Sequence, residues 1–200
     1  MENEKKLRVI EAAKRVFLRY GFRRVTMQDV AEEAGISRPA LYLIFLNKEE
    51  VFKATIQEVT AQSMEIIRRE LPTLSTIEQK LNSMFEIWTV QPFEIMLKSP
   101  DAKDLVHCGH DFAADVLAQI SAGFESLLTE VLQPVVAADR QAILPTSEIA
   151  HLLAASIHGY KDSARSADEL RTLIRNLITL TLAALGVRPT SQPVSADAIA

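Results

Sequence analysis

The segment from Thr26 to Phe52 carries the residues whose types and spacing best fit contact with another molecule. It reads TMQDVAEEAGISRPALYLIFLNKEEVF, with one helix start at Thr26, a glycine at position 35 and a second helix start at Ser37. Two short helices joined across a glycine turn are typical of a helix-turn-helix, which places its second helix in the major groove of DNA. The segment therefore predicts a surface that binds double-stranded DNA.

The second short helix carries the side chains suited to that contact. Arg38 has a forked donor group that matches O6 and N7 of guanine. Thr26, Tyr42 and Lys48 are suited to phosphates, and Lys48 lies beside a helix N-terminus, which also attracts anions. Apolar groups at Ala40 and Leu43 suit thymine methyls. The predicted DNA-binding residues are Thr26, Ser37, Arg38, Pro39, Ala40, Tyr42, Leu43 and Lys48.

Capping signals explain why these helices should begin and end where they do. Thr26 is followed three residues later by Asp29, so the two side chains can cap each other's backbone amides. Gly35 then supplies the left-handed backbone that ends a helix, and Ser37 caps the next one. Asn47 opens a further helix. An ordinary buried corner would need only one of these features, so the whole series favours DNA binding.

This part of the chain resembles the TetR family of transcriptional regulators. The resemblance covers positions 7 to 53, through IEAAKRVFLRYGFRRVTMQDVAEEAGISRPALY and FLNKEEVF, and beyond residue 54 it is one of helical layout and length only. The chain departs from the family at Leu43 and Ile44, where the family commonly carries a polar or aromatic pair that often ends in His. That His usually helps to hold a phosphate, so the departure predicts a missing backbone contact and a different base preference.

Charge is distributed in a way that supports the same surface. The net charge of the chain is -4, but residues 1–53 hold 11 Lys/Arg against 8 Asp/Glu, whereas residues 54–200 hold 11 against 18. Positive charge is thus concentrated where phosphates would be met. The single cysteine, Cys108, rules out an intramolecular disulfide. No apolar run approaches the ~20 residues that cross a bilayer. We expect a cytoplasmic protein with no membrane partner.

The hydrophobic periodicity predicts an all-α fold, because no stretch alternates for long enough to form a sheet. We expect an N-terminal three-helix DNA-binding domain over residues 1–53. A C-terminal helical domain for ligand binding and dimerisation should cover residues 54–186. Residues 187–200 lack a periodic apolar face and are expected to form a flexible tail.

The last two predicted helices, at about 146–163 and 167–185, carry more apolar residues than one chain needs. Two such helices facing a two-fold copy would form a four-helix bundle. The family resemblance implies the same homodimer, and a core within one chain is the alternative. The residues predicted at the dimer interface are Ile149, Leu153, Ile157, Tyr160, Leu173, Leu177 and Ile178.

The middle of the chain is rich in aromatic residues and methionine, which suit an apolar ligand. The resemblance implies a cavity for a small effector there, whereas simple internal packing is the alternative. The predicted ligand-binding residues are Met84, Trp88, Phe93, Met96, His110 and Phe124. His107, Cys108, His110 and Asp111 are metal-friendly, but consecutive donors rarely converge on one ion, so no metal and no cofactor is expected.

These features together predict a regulator that binds a near-palindromic operator as a homodimer and is released by a small apolar or aromatic effector. The family's usual behaviour implies a repressor, and an activator of the same fold is the alternative. A helical enzyme or structural module is the competing class. No glycine-rich phosphate loop and no nucleophile elbow occur in the sequence, which argues against an enzyme.

Overall fold

The computed structural model describes residues 2–99, 105, 112–138 and 144–187, and within these ranges it is helical without strands. The fold class is therefore all-α, as predicted. A 3-10 turn at Leu71–Thr73 and a π-helical turn at Glu86–Val90 interrupt the α-helices. The α-helices are α1 (Glu2–Arg24), α2 (Met27–Glu33), α3 (Arg38–Tyr42), α4 (Lys48–Glu70), α5 (Ile77–Phe85), α6 (Gln91–Leu97), α7 (Ala114–Ala138), α8 (Thr146–Ser163) and α9 (Ala167–Ala184).

The chain divides into two compact units, of which the first comprises Met1–Arg68 and Ile87–Phe124. Its core is formed by the apolar faces of α1, α2, α3 and the start of α4. The rings of Phe17, Phe22, Phe52 and Phe112 meet there with centroid distances of 4.7 to 5.7 Å. This cluster holds α1 against α4, and buried residues of α2 and α3 pack on the same core, which supports the short α3.

The first helix bends at Gly21, three residues before its end. Gly21 has a φ of 74° and a ψ of 167°, which interrupts the helical backbone, and a last turn continues to Arg24. Glycine adopts such a left-handed backbone without the steric cost that a side chain brings.

The fourth helix runs unbroken through the predicted domain boundary at residue 53 and ends at Glu70. Three hydroxyl groups on it donate to carbonyl oxygens of the preceding turn: Thr55 to Val51 at 2.7 Å, Thr60 to Ile56 at 2.8 Å and Ser63 to Val59 at 3.1 Å. The domain boundaries proposed at residues 53 and 186 remain predictions.

The second unit comprises Arg69–Glu86 and Glu125–Ala200. Within it, α9 packs against both α5 and α8. Buried leucines and isoleucines repeat every four residues along α9 and form its inner face: Leu170, Ile174, Ile178 and Leu182. Arg171 donates from two nitrogens to the carboxylate of Glu86, at 3.0 and 2.9 Å, and this pair fixes the orientation of α9 against the start of the π-helical turn.

The sequence favours Ser75 with Glu78 as the capping box that opens a helix, and Pro92 as an interruption of that helix, but the structure corrects both expectations. The capping box of α5 is formed by Thr76 and Gln79 rather than by Ser75 and Glu78. Pro92 does not interrupt a helix; it lies in the first turn of α6, where its missing N–H leaves no helical hydrogen bond unmade. Every helix in the described ranges is too short or too polar to span a bilayer. All of the predicted tail except Val187 lies outside the described residues.

Candidate nucleic-acid interface

The start of α2 is fixed by the capping box that the sequence predicted. The hydroxyl of Thr26 accepts from the backbone N–H of Asp29 at 3.3 Å, and the Asp29 carboxylate accepts from the backbone N–H of Thr26 at 2.8 Å. The same carboxylate also accepts from the Thr26 hydroxyl at 2.8 Å. Thr26 is exposed, but its one hydroxyl proton is donated to Asp29, so a phosphate contact through Thr26 stays a prediction.

The corner between α2 and α3 depends on Gly35. Its φ is +65°, and a Cβ built there would meet nothing within 4 Å, so the backbone conformation and not crowding requires glycine. The next residue, Ile36, donates its backbone N–H to the carbonyl of Ala31 at 3.0 Å, and its side chain packs on the core. Ala31 is fully buried, and its small side chain allows α2 and α3 to approach closely.

The third helix begins at the predicted cap and presents one face to the core and one to solvent. Ser37 accepts from the backbone N–H of Ala40 at 3.3 Å, and Pro39 lies in the first turn. Leu41 is fully buried and Phe45 is 5% exposed. The residues left outside are those predicted to meet DNA: Ser37, Arg38, Pro39, Tyr42 and Leu43, with Ala40 half-buried beside them.

Arg38 and Tyr42 lie one helical turn apart and contact each other. The Arg38 guanidinium carbon is 5.5 Å from the centre of the Tyr42 ring, and Arg38 Nη2 lies 3.4 Å from the Tyr42 hydroxyl. The ring thus holds the guanidinium against the outer face of α3. The sequence assigned these two residues separate roles, whereas the structure brings them together.

Lys48 has a structural role that sequence reasoning missed. Its ammonium donates to the carbonyl oxygens of Phe22 and Val25, both at 2.8 Å, and lies 4.3 Å from the centre of the Phe22 ring. Two of its three donors are therefore used within the protein. A phosphate contact through the remaining donor stays a prediction. Nothing in the local sequence reveals these bonds, since the partners are more than 20 residues away.

The connection from α3 to α4 exposes one further apolar residue that was not predicted. Leu46 is 73% exposed, and its backbone N–H donates to the Glu50 carboxylate at 2.8 Å. Asn47 caps α4 as expected, because its side chain accepts from the Glu50 backbone N–H at 2.8 Å. Ile44 packs partly on the core. Its hydrocarbon side chain has no hydrogen-bond donor to offer to a DNA phosphate.

An ion pair links α4 to α7 within the first unit. Lys53 Nζ lies 3.3 Å from a carboxylate oxygen of Asp115. The pKa of Asp115 lies below its usual value because the carboxylate accepts from the backbone N–H of Val116 and from Lys53. The carboxylate is fully exposed, so this pair orients side chains rather than adding substantial stability.

The predicted ligand-binding residues are only partly brought together. Trp88, in the π-helical turn, stacks on Phe124 of α7 with a centroid distance of 4.5 Å and an angle of 1° between the planes. Phe93 and Met96 are half-buried on α6, and Met84 is fully buried on α5 in the second unit. His110 and the rest of the predicted His/Cys cluster lie outside the described residues. Trp88 and Phe124 are thus the two predicted ligand-binding residues whose rings are in contact in the described part of the chain.

Four of the predicted interface residues, Ile149, Leu153, Ile157 and Ile178, are at most 9% exposed within a single chain. They form the core between α8 and α9 and offer little surface to a second subunit. Tyr160, Leu173 and Leu177 remain partly exposed. The intrachain core, which was the alternative, therefore accounts for the four buried side chains.

An open apolar groove of about 500 Å³ lies along the same two helices. Its outer edge carries Leu152, which is 53% exposed. Residues in the groove that face away from the core include Leu144, Leu152, Ser156, Leu177, Thr181 and Ala184. The groove lies on the two helices that were predicted to form the dimer interface, and four of the predicted interface residues lie on the buried side of these helices.

Known proteins resemble this chain in its N-terminal segment and in its fold. Residues 9–55 match the family model for bacterial regulatory proteins of the tetR family. The uncharacterized HTH-type transcriptional regulator YfiR of Bacillus subtilis is 45% identical over 56 residues, which span 28% of this chain and 27% of YfiR. The relatives that match this segment include proteins named as HTH-type transcriptional regulators.

Solved structures extend the likeness over the whole fold. A TetR transcription regulator from Haloarcula marismortui superimposes with a TM-score of 0.73 at 17% identity, covering 91% of this chain and 98% of that one. FadR of Thermus thermophilus, a TetR-family repressor solved with lauroyl-CoA, gives a TM-score of 0.62 at 21% identity, covering 94% and 98%. At such identities the likeness concerns the fold.

Proposed function

We propose that this chain is a ligand-responsive transcriptional repressor of the TetR family, and that it binds a near-palindromic operator as a homodimer. The match of residues 9–55 to the family model supports this proposal. The observation that carries the proposal is the outer face of α3. Arg38, Tyr42 and Leu43 are exposed there, while Leu41 on the opposite side is fully buried. A short helix held in this way can enter a major groove and present its side chains to base edges.

The electrostatics of the N-terminal segment support this reading. Residues 1–53 carry a net charge of +3, and Arg23 and Arg24 extend exposed from the last turn of α1. Cations placed around α3, the reading helix of this proposal, bind phosphates and fix the register of that helix on the duplex. Thr26 and the remaining donor of Lys48 serve that purpose in the proposal.

The homodimer in this proposal uses the groove of α8 and α9. Leu152 is exposed beside it, and Gly159 of α8 is exposed with open space around the position of a Cβ. Glycine inside a helix costs about 1 kcal/mol relative to alanine, and nothing in the described ranges of the chain requires it at this position. In the proposed dimer, a helix of the second subunit approaches α8 closely at this position, which explains the glycine. Two subunits would then present their α3 helices about 34 Å apart, one turn of DNA.

The effector in this proposal is a small apolar molecule that contacts the Trp88–Phe124 stack. The ring of Trp88 is only half-buried and is backed at 4.5 Å by the parallel, buried ring of Phe124, so it offers a flat apolar wall. Effector binding would shift α4, which continues from the capped corner to Glu70, and so change the spacing of the two reading helices. Release follows because the ligand binds one spacing more tightly than the other.

DNA binding is tested by gel retardation against a pool of random-sequence duplexes. We expect saturable complexes whose affinity falls steeply as salt rises, because counterions are released from the phosphates. A reporter gene placed behind the selected sequence separates repression from activation: expression that falls when the protein is present supports the proposal, and expression that rises supports the activator. No complex with any duplex at low salt contradicts DNA binding altogether.

Effector binding is tested with the fluorescence of Trp88, which is the single tryptophan of the chain. Lauroyl-CoA serves as the first probe, since it is a long apolar chain on a polar carrier. We expect a saturable change in emission and, at the same concentrations, release of the DNA. Free coenzyme A is the matched control, because it lacks the apolar chain. An unchanged spectrum with both compounds removes the support for an acyl effector.

A further inference from the structure

The end of the reading helix carries the two most exposed large apolar side chains in the described part of the chain. Leu43 is 89% exposed and Leu46 is 73% exposed. Neither fills space within the protein, since Leu41, Ile44 and Phe45 supply the core contacts of this segment. Leucines held so fully in water indicate a surface that another molecule covers.

The backbone of this segment holds both leucines in place. The carbonyl of Leu41 accepts from the backbone N–H groups of Ile44 and Phe45 at 2.9 and 3.0 Å. The backbone N–H of Leu46 donates to Glu50 in the first turn of α4. The exposed leucines therefore belong to a rigid corner, and their surface is preformed for binding.

These leucines continue the face that is proposed to enter DNA. Leu43 follows Tyr42 directly, so the outer face of α3 begins with the guanidinium of Arg38 and ends in aliphatic carbon. The ammonium of Lys48, the nearest cation along the chain after the leucines, points instead to Phe22 and Val25. In a major groove, the group that favours an apolar side chain is the 5-methyl of thymine.

On the basis of the proposed DNA-binding function, we infer that Leu43 and Leu46 form an apolar ridge that reads thymine methyl groups. The ridge makes one end of each half-site specific for A·T pairs in a defined orientation, while Arg38 reads the other end. Cytosine and adenine present amino groups at the corresponding depth, and these would lose hydrogen bonds to water against a leucine. The ridge thus selects thymine by contact and the other bases are disfavoured by desolvation.

The test uses the duplex selected from the random pool, resynthesised with deoxyuridine in place of one thymidine at a time. This exchange removes only the methyl group and leaves base pairing and the O4 acceptor intact. For the unaltered protein we expect about a fourfold loss of affinity at one or two positions in each half-site, the value for one buried methyl group. In the Leu43→Ala/Leu46→Ala variant the same exchange should have no effect. Leu97→Ala, an exposed leucine on α6, serves as the control and should keep the fourfold loss.

Each other outcome has a defined meaning. A selected duplex that is indifferent to every thymidine exchange overturns the ridge and leaves DNA binding intact. An equal loss in the unaltered protein and in the double variant overturns it too, because other residues then read the methyls. If the double variant instead loses only a slower-migrating, higher-order complex, the leucines join proteins to one another and the inference is overturned. Failure to select any duplex overturns both the inference and the proposed function.

Discussion

The Nζ atom of Lys48 lies 2.8 Å from the carbonyl oxygen of Val25, so the first residue of α4 is bonded to the residue that precedes the α2 cap. Val25 itself is buried, and the same ammonium also reaches Phe22. One side chain thereby joins the end of α1, the start of α2 and the start of α4. The cation that sequence reasoning gave to phosphate also determines where the reading helix sits.

Replacing Lys48 with methionine removes the ammonium and keeps the aliphatic length. We expect the free energy of unfolding to fall by about 1–3 kcal/mol, because two carbonyls lose a charged donor. Denaturant unfolding measures this loss. If Lys48 also holds a phosphate, the salt dependence of DNA binding should flatten by about one unit. Lys48→Arg is the control that keeps the charge. Unchanged unfolding in Lys48→Met would contradict the positioning role.

Replacing Arg38 with alanine should cost about 1–3 kcal/mol of DNA-binding free energy and relax one operator position. The reason is the loss of a two-pronged contact to guanine, which carries sequence information. Selection from the random pool, repeated with the variant, measures the change. Arg38→Lys keeps the charge but not the fork, so it should retain non-specific affinity and still lose the guanine preference. An unaltered selected sequence would remove Arg38 from base recognition.

Replacing Gly35 with alanine should lower the free energy of unfolding by about 1–2 kcal/mol, because alanine pays for a left-handed backbone. The space around a Cβ is open there, so no clash adds to this value. Gly35→Asn is the matched control and should cost less, since asparagine tolerates this conformation. Thermal unfolding of the two variants tests the order. Equal losses of unfolding free energy in the two variants would show that the left-handed backbone angle at residue 35 does not determine the loss.

Replacing Leu152 with glutamate should dissociate the proposed dimer. A charge placed in the groove of α8 and α9 would be buried without a partner, at a cost of about 2–3 kcal/mol for each of the two subunits, which raises the dimer dissociation constant on the order of 1,000-fold or more. Light scattering across a dilution series measures it. Leu97→Glu, on α6, is the control and should leave the assembly unchanged. A variant that stays dimeric moves the interface elsewhere.

Local chemistry determined which features the sequence could predict. The caps at Thr26 and Ser37, and the bounds of α8, depend on residues within four positions of one another, so they were predicted correctly. The capping box of α5 was misplaced by one residue because Ser75 and Thr76 are both acceptable caps.

Features that depend on distant residues were missed. The bonds of Lys48 and the Trp88–Phe124 stack join residues far apart in the chain, and no spacing reveals them. Periodicity located the apolar residues of α8. It does not tell which of these residues are buried within the chain and which remain on its surface. Ile157 and Leu152 differ in burial for that reason, at 3% and 53% exposed.

Three hydroxyl groups of α4 donate to backbone carbonyls four residues earlier in the same helix, and these bonds affect how the helix moves. Each competes with an amide for the same acceptor, and such bonds tend to bend a helix. The stretch from Val51 to Ser63 is therefore more compliant than a helix of alanine and leucine would be. Its amide protons should exchange with solvent deuterium sooner than those of α1, and a bound effector could alter the curvature of α4 without breaking any contact at its ends.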